Sequence, residues 1–99
     1  MRRLLWTVKA LREFSEAIKF IAADRPLAAR SVAERIDAAA NALAQMPTGR
    51  RGRVTGTYEK VVTGLPYILA YDLDDPPGTL RILHLIHGAR DWPDSGWPE

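Results

Sequence analysis

The sequence predicts an α+β domain of order β-α-α-β-β-β, an antiparallel sheet with a two-helix hairpin packed on one face. Three observations lead there. Two consecutive segments space their apolar residues by three and four, the period of a helix with one buried face. Three later segments are short, rich in β-branched and aromatic residues, and separated by turn compositions. A further run at the amino end is short and rich in large apolar residues, so it can form a strand.

Arg3 to Thr7 is that first strand, and Thr7 is placed to cap the helix that follows, its hydroxyl accepting from a free N–H of the first turn. From Val8, the residues Val8, Leu11, Phe14, Ile18 and Ile21 align on one helical face, with Lys9, Arg12, Glu13, Glu16 and Lys19 on the other. Asp24-Arg25-Pro26 breaks this helix, and Pro26 suits the first turn of the next, where its missing N–H is not needed. The second helix runs to about Met46, burying Leu27, Val32, Ile36, Ala39 or Ala40, and Leu43. Its many alanines favour the helix and permit a close neighbour. So brief a break between two helices makes an antiparallel hairpin.

Gly49 to Gly56 reads as a basic connector punctuated by glycine. Strands follow at Thr57 to Val62, Pro66 to Leu73 and Leu80 to His87, joined by Thr63-Gly64-Leu65 and by Asp74-Asp75-Pro76-Pro77-Gly78. The short turns make a meander. The last strand is apolar at both parities, as an interior strand should be, and His84 within it reads as a hydrogen-bonded strand residue. Residues 1–93 make one domain, and Asp94 to Glu99 read as a frayed tail.

Composition narrows the chemistry. The chain has 99 residues, 46% hydrophobic and 26% charged, which suits a single folded domain rather than a disordered chain. It has no cysteine and two histidines, so disulfides, thiolate chemistry, Cys-ligated zinc and a three-His metal site are all ruled out. Neither a metal nor a cofactor is expected. No apolar run approaches the roughly 20 residues of a membrane span. Met1-Arg2-Arg3-Leu4-Leu5-Trp6 lacks the long apolar region of a signal peptide, so the cytoplasm is the expected location.

The net charge of +2 is modest, but its distribution is not even. Arg50, Arg51 and Arg53 crowd one loop between Gly49 and Gly56, and Arg81 adds a cation on the last strand. These four are candidates for contact with phosphate or with an acidic protein. His87, Arg90 and Trp92 leave the end of the last strand together, where loops on a rigid sheet often carry function. Trp92 before Pro93 also suits a packing plug over the sheet end.

Three stretches carry a family resemblance: Gly49-Arg50-Arg51-Gly52-Arg53-Val54 with Gly56-Thr57, the strand start Pro66-Tyr67-Ile68, and Ile82-Leu83-His84-Leu85-Ile86-His87-Gly88-Ala89-Arg90-Asp91-Trp92. With the element order, they make residues 1 to about 93 similar to toxins of the RelE/ParE superfamily, the toxic half of bacterial type II toxin–antitoxin pairs. The resemblance implies a small basic protein that inhibits growth until a cognate antitoxin wraps its surface, the two forming a hetero-oligomer. It implies one of two activities. RelE-like members are ribosome-dependent endonucleases that cut messenger RNA; ParE-like members bind DNA gyrase, stabilise its cleaved-DNA state and are not hydrolases. One scaffold can host both, so side chains must choose.

Cleavage through the 2′-oxygen needs a base, an acid and a cation to stabilise the phosphorane. Where the RelE-like pattern has basic residues on the first meander strand and an arginine early in the next, this chain aligns Glu59, Val61 and Ile68; only Arg90 matches. A different nuclease set would use Glu59 as base, His87 as acid and Arg90 with Arg53 on the phosphate, provided Glu59 and His87 share a face. The favoured alternative is the gyrase type, with Val61, Ile68 and Ala70 on an open sheet face, together with Trp92, forming a surface for the antitoxin. A third reading is a module that binds an antitoxin and does nothing else.

Overall fold

The computed structural model describes residues 1–88 of the chain, so Arg90, Trp92 and the 94–99 tail lie outside the described residues. The elements are β1 (Arg3–Trp6), α1 (Val8–Ala22), α2 (Pro26–Gln45), β2 (Arg50–Arg51), β3 (Tyr58–Val61), β4 (Tyr67–Leu73) and β5 (Thr79–His87). The expected order of one strand, two helices and a three-strand meander is present. Thr7 caps α1, its Oγ1 accepting from Ala10 N at 3.1 Å. Pro26 opens α2.

Two features of the sheet differ from expectation. Arg50 and Arg51, expected in a connector, form a fifth strand that pairs with Glu59 and Tyr58. The sheet order is β1-β5-β4-β3-β2, and β1 runs parallel to β5 while every other pair is antiparallel. The two departures are linked. Three reversals lead from β2 to β5, and they return the chain to the direction of β1; without β2 there would be only two.

The helices lie on one face of this sheet. Strand alternation sends Tyr67, Leu69 and Tyr71 of β4 toward them, where they meet Ala10, Ile36, Ala40 and Leu43, with Leu80, Ile82 and Leu85 of β5. Burial of this apolar surface is the main stabilising term. The face of α1 is only partly the expected one. Phe14 and Ile21 pack inward as expected, but Val8 and Leu11 are exposed, and Ala10 and Ala17 pack inward in their place. Phe14 is held by stacking on Trp6, ring centroids 5.2 Å apart. On α2, Ile36, Ala40 and Leu43 are buried as expected, while Leu27 in the first turn is 82% exposed. Leu27 stands one residue into the helix, at the far end of the hairpin.

A bulge in β5 explains why α1 turns as it does. The register passes from Ala70↔His84 to Tyr71↔Ile82, leaving Leu83 as the extra residue. The first turns of α1 satisfy the groups that this frees. Thr7 Oγ1 donates to the Leu83 carbonyl at 3.3 Å, and Glu13 Oε1 accepts from Leu85 N at 3.2 Å. His84 Nδ1 lies 3.3 Å from the same Glu13 oxygen, so His84 is a bonded strand residue. Glu13 therefore belongs against the sheet and not on the solvent side.

Candidate functional site

The arginine loop is built around one buried carboxylate. Glu59 sits in the middle of β3, opposite Arg50 on one side and Ala70 on the other, and its residue is only 3% exposed. A carboxylate there must be compensated. Its Oε1 accepts from Arg50 Nη2 at 3.1 Å, and its Oε2 accepts from the Arg53 backbone N–H at 3.0 Å. The loop also closes on itself: Gly52 N donates to Thr57 O at 2.8 Å, and the Thr57 hydroxyl donates to Val54 O at 2.6 Å. A side chain at position 52 would bring its Cβ within 2.4 Å of that hydroxyl. Arg51 and Arg53 are exposed on this frame. Arg51 lines a hollow of about 240 Å³ with Thr55, Gly56, Thr57 and Tyr58.

Arg81, grouped with these arginines by sequence, is committed elsewhere. Its Nε and Nη2 donate to the two Asp72 oxygens at 3.1 and 2.6 Å, with Asp75 3.8 Å away. The Asp72 carboxylate, by hydrogen bond and by charge, holds the proton on this guanidinium more tightly than usual. A cation bound in this two-pronged way is not offered to phosphate.

His87 stands elsewhere again, at the end of β5 beside Tyr67, the two rings edge to face at 5.4 Å. It lines a cleft of about 330 Å³ between α1 and the sheet, with Glu13, Glu16, Phe20 and Tyr67. Tyr67, its register partner, faces the helices, whereas Ala70, the partner of Glu59, has the opposite parity on β4. Glu59 and His87 thus occupy opposite faces of the sheet. The shared face that a Glu59–His87 acid–base pair requires is absent.

The expected open apolar face is also corrected. Val61 is 47% exposed, but Ile68 is 9% exposed and Ala70 is fully buried. Ala70 is a methyl flanked by the longer Glu59 across the ladder, and Ile68 lies between Val61 and Ile86. Only Val61 of the three presents surface. Sequence reading gave Glu59 a catalytic part and missed its structural one; three arginines within four residues of a short β-rich run would have been the signal for an acidic partner inside the fold.

Among the described residues no group of three or more acidic or histidine side chains converges as a metal site, and no helix is long and apolar enough to cross a membrane. Comparison with known proteins agrees with the architecture. The family model described as the ParE toxin of type II toxin–antitoxin system, parDE, matches residues 4–92. A putative toxin, Y4kP, of Sinorhizobium fredii is 39% identical over 93 residues, covering 93% of this chain and 94% of that protein. Toxin RelE2 of Caulobacter vibrioides is 35% identical over 91 residues, covering 91% and 99%. A solved chain from the chromosomal ParDE toxin–antitoxin system of P. aeruginosa shares the fold, with a TM-score of 0.78 at 20% identity, covering 88% of this chain and 96% of that one.

Proposed function

The chain belongs to the ParE toxin family of type II toxin–antitoxin systems, and from that premise we propose that it arrests growth by gripping a protein target of the DNA gyrase type. Family membership implies an antitoxin partner that silences it. The observation that carries the proposal is the position of Glu59. A general base must be reachable by the proton it takes. Here the Glu59 carboxylate is buried in the sheet and already accepts from Arg50 on one oxygen and from the Arg53 amide on the other, with His87 on the far face.

The RelE-like alternative, ribosome-dependent cleavage of messenger RNA, would have to use the His87 cleft. That cleft brings Glu13 and Glu16 near an imidazole, but no Arg or Lys is among its described lining residues. The carboxylates among those described residues repel a phosphate, and stabilising the charge that develops on it is commonly the largest catalytic term. A protein-binding mode needs none of these groups in register.

The test is a reaction of purified components. The toxin is incubated with gyrase and supercoiled plasmid, and separately with programmed ribosomes. Accumulation of cleaved plasmid complexes is the expected outcome. Cut message with intact plasmid would replace this reading with the nuclease one.

A further inference from the structure

We propose that β1 is the contact of a twofold dimer, its outer edge pairing antiparallel with β1 of a second copy about Leu5. β1 lies at the rim of the sheet, and among the described residues its strand partner is β5. Parallel pairing turns alternate residues toward β5. Arg3 N–H donates to the Gly78 carbonyl and Thr7 N–H to the Ile82 carbonyl, so the N–H and C=O groups of Leu4 and Trp6 point outward. The outward N–H of Arg2 is already taken by the Ala44 carbonyl at the end of α2. The described chain ends on the other side of β5, where Gly88 N–H donates to the Pro66 carbonyl. An outward row of strand donors and acceptors is a template for another strand.

The spacing of these groups fits a second copy. With Leu5 on the twofold axis, Leu4 stands opposite Trp6 of the partner copy, and every outward group finds its complement. Arg3 then faces Thr7, so no like charges meet across the ladder. A register shifted either way sets Leu4 or Trp6 against itself. The other would then face Arg2, whose N–H is taken, or Val8, which is helical. The chosen register also carries Val8 of the partner copy, 73% exposed, to the Arg2 end of β1, where Met46 is 69% exposed just past α2. The start of one α1 thereby meets the end of the other α2. Those ends have opposite partial charge, and the last turn of α2 carries no basic side chain of its own. Because β1 has only four residues, the contact is small and the dimer weak, with a dissociation constant of about 10 to 100 µM.

The test uses the lack of cysteine in the chain. In this register Leu5 faces itself in a non-hydrogen-bonded pair, whose Cα atoms stand about 4.5 Å apart, within reach of a disulfide. Under mild oxidant, full-length Leu5→Cys should form a thiol-reversible dimer at least about tenfold faster than Val61→Cys, a more exposed position far from the axis. Sedimentation equilibrium of the wild-type chain should show dimer growing with concentration. Leu5→Glu should raise the dissociation constant about tenfold or more, because two carboxylates then face each other. Arg81 beside Leu5 on β5 gives the new carboxylate an opposite charge within its own copy. Mixing Leu5→Glu with Leu5→Lys should restore association. A wild-type chain that stays monomeric well above the stated range overturns the proposal, as does equal cross-linking at positions 5 and 61. A dimer that Leu5→Glu leaves unchanged puts the contact elsewhere and also overturns it. If Leu5→Glu does not fold, the cross-linking comparison decides. A monomer whose Leu5→Cys thiol is shielded from alkylation only by the co-encoded antitoxin gives the edge to that partner and overturns the dimer.

Discussion

Glu59 on β3 and His87 on β5 point from opposite faces of the sheet, separated by β4 and three positions of register. At roughly 3.3 Å per residue and 4.8 Å per strand, their backbones stand about 14 Å apart. No proton passes directly between them. The two side chains also have different duties: one braces a loop, the other edges onto Tyr67 beside a cleft.

His87→Ala should therefore leave growth arrest within about threefold of wild type, where loss of a general acid would cost about a hundredfold or more. Removing the edge-to-face contact with Tyr67 should destabilise the fold by about 0.5 to 1.5 kcal/mol. Induced-expression growth curves and urea unfolding measure the two effects. A stable variant with a hundredfold loss of toxicity would return His87 to a chemical role.

What sequence could and could not reveal follows from where each signal lives. The Thr7 cap, Pro26 at the start of α2 and the turns of the meander are local, and each stands where expected. The inward face of α1 is not local. Val8 and Leu11 make the more apolar stripe beside Phe14, but the β5 bulge needs an acceptor at Leu85 N, and Glu13 supplies it only if Ala10 and Ala17 turn inward in their place. β2 is two arginines whose strand character comes wholly from pairing with β3. Arginine clustering was legible at the candidate site. Which arginines had internal partners was not, because Asp72 and Glu59 reach Arg81 and Arg50 through register alone.

The bulge makes Glu13 a test of the fold. Glu13→Ala removes the acceptor of Leu85 N, on a residue that is 5% exposed, and an orphaned buried N–H costs about 1 to 3 kcal/mol. Glu13→Gln keeps an amide oxygen at the same place and should cost less than half as much. Thermal unfolding gives the magnitudes, and amide exchange at Leu85 should quicken in the alanine variant alone. Equal losses in the two variants would mean that charge on Glu13, and not its hydrogen bond, holds α1 to β5.

Gly49 joins α2 to the arginine loop with φ of +118°, where a Cβ would stand 2.6 Å from the Glu59 carbonyl oxygen. Backbone cannot yield there without breaking the β2–β3 pairing. Gly49→Ala should cost about 2 kcal/mol or more through strain and clash together. Denaturant unfolding measures it, and a loss below about 0.5 kcal/mol would mean the loop enters β2 differently.

Burial of the Tyr71 phenol makes stability depend on alkaline pH. Its ring is buried against Tyr58, centroids 5.5 Å apart, and its hydroxyl donates to the Thr48 carbonyl, tying the sheet to the chain just ahead of the arginine loop. Burial raises the phenol above its ordinary value of about 10, and the neighbouring Tyr58 raises it further, against a smaller lowering by Arg2. A raised acid binds its proton more tightly folded than unfolded. Its contribution is then complete below about pH 10 and declines as pH rises through the folded value. Tyr71→Phe should lower stability near neutrality by about 1 kcal/mol, the usual worth of one such hydrogen bond, or less because Thr48 is exposed and water can serve its carbonyl. Above pH 10 the variant should lose stability more gradually than wild type, so the two unfolding curves converge. Parallel curves across pH 8 to 11 would show that the phenol ionises as readily folded as unfolded.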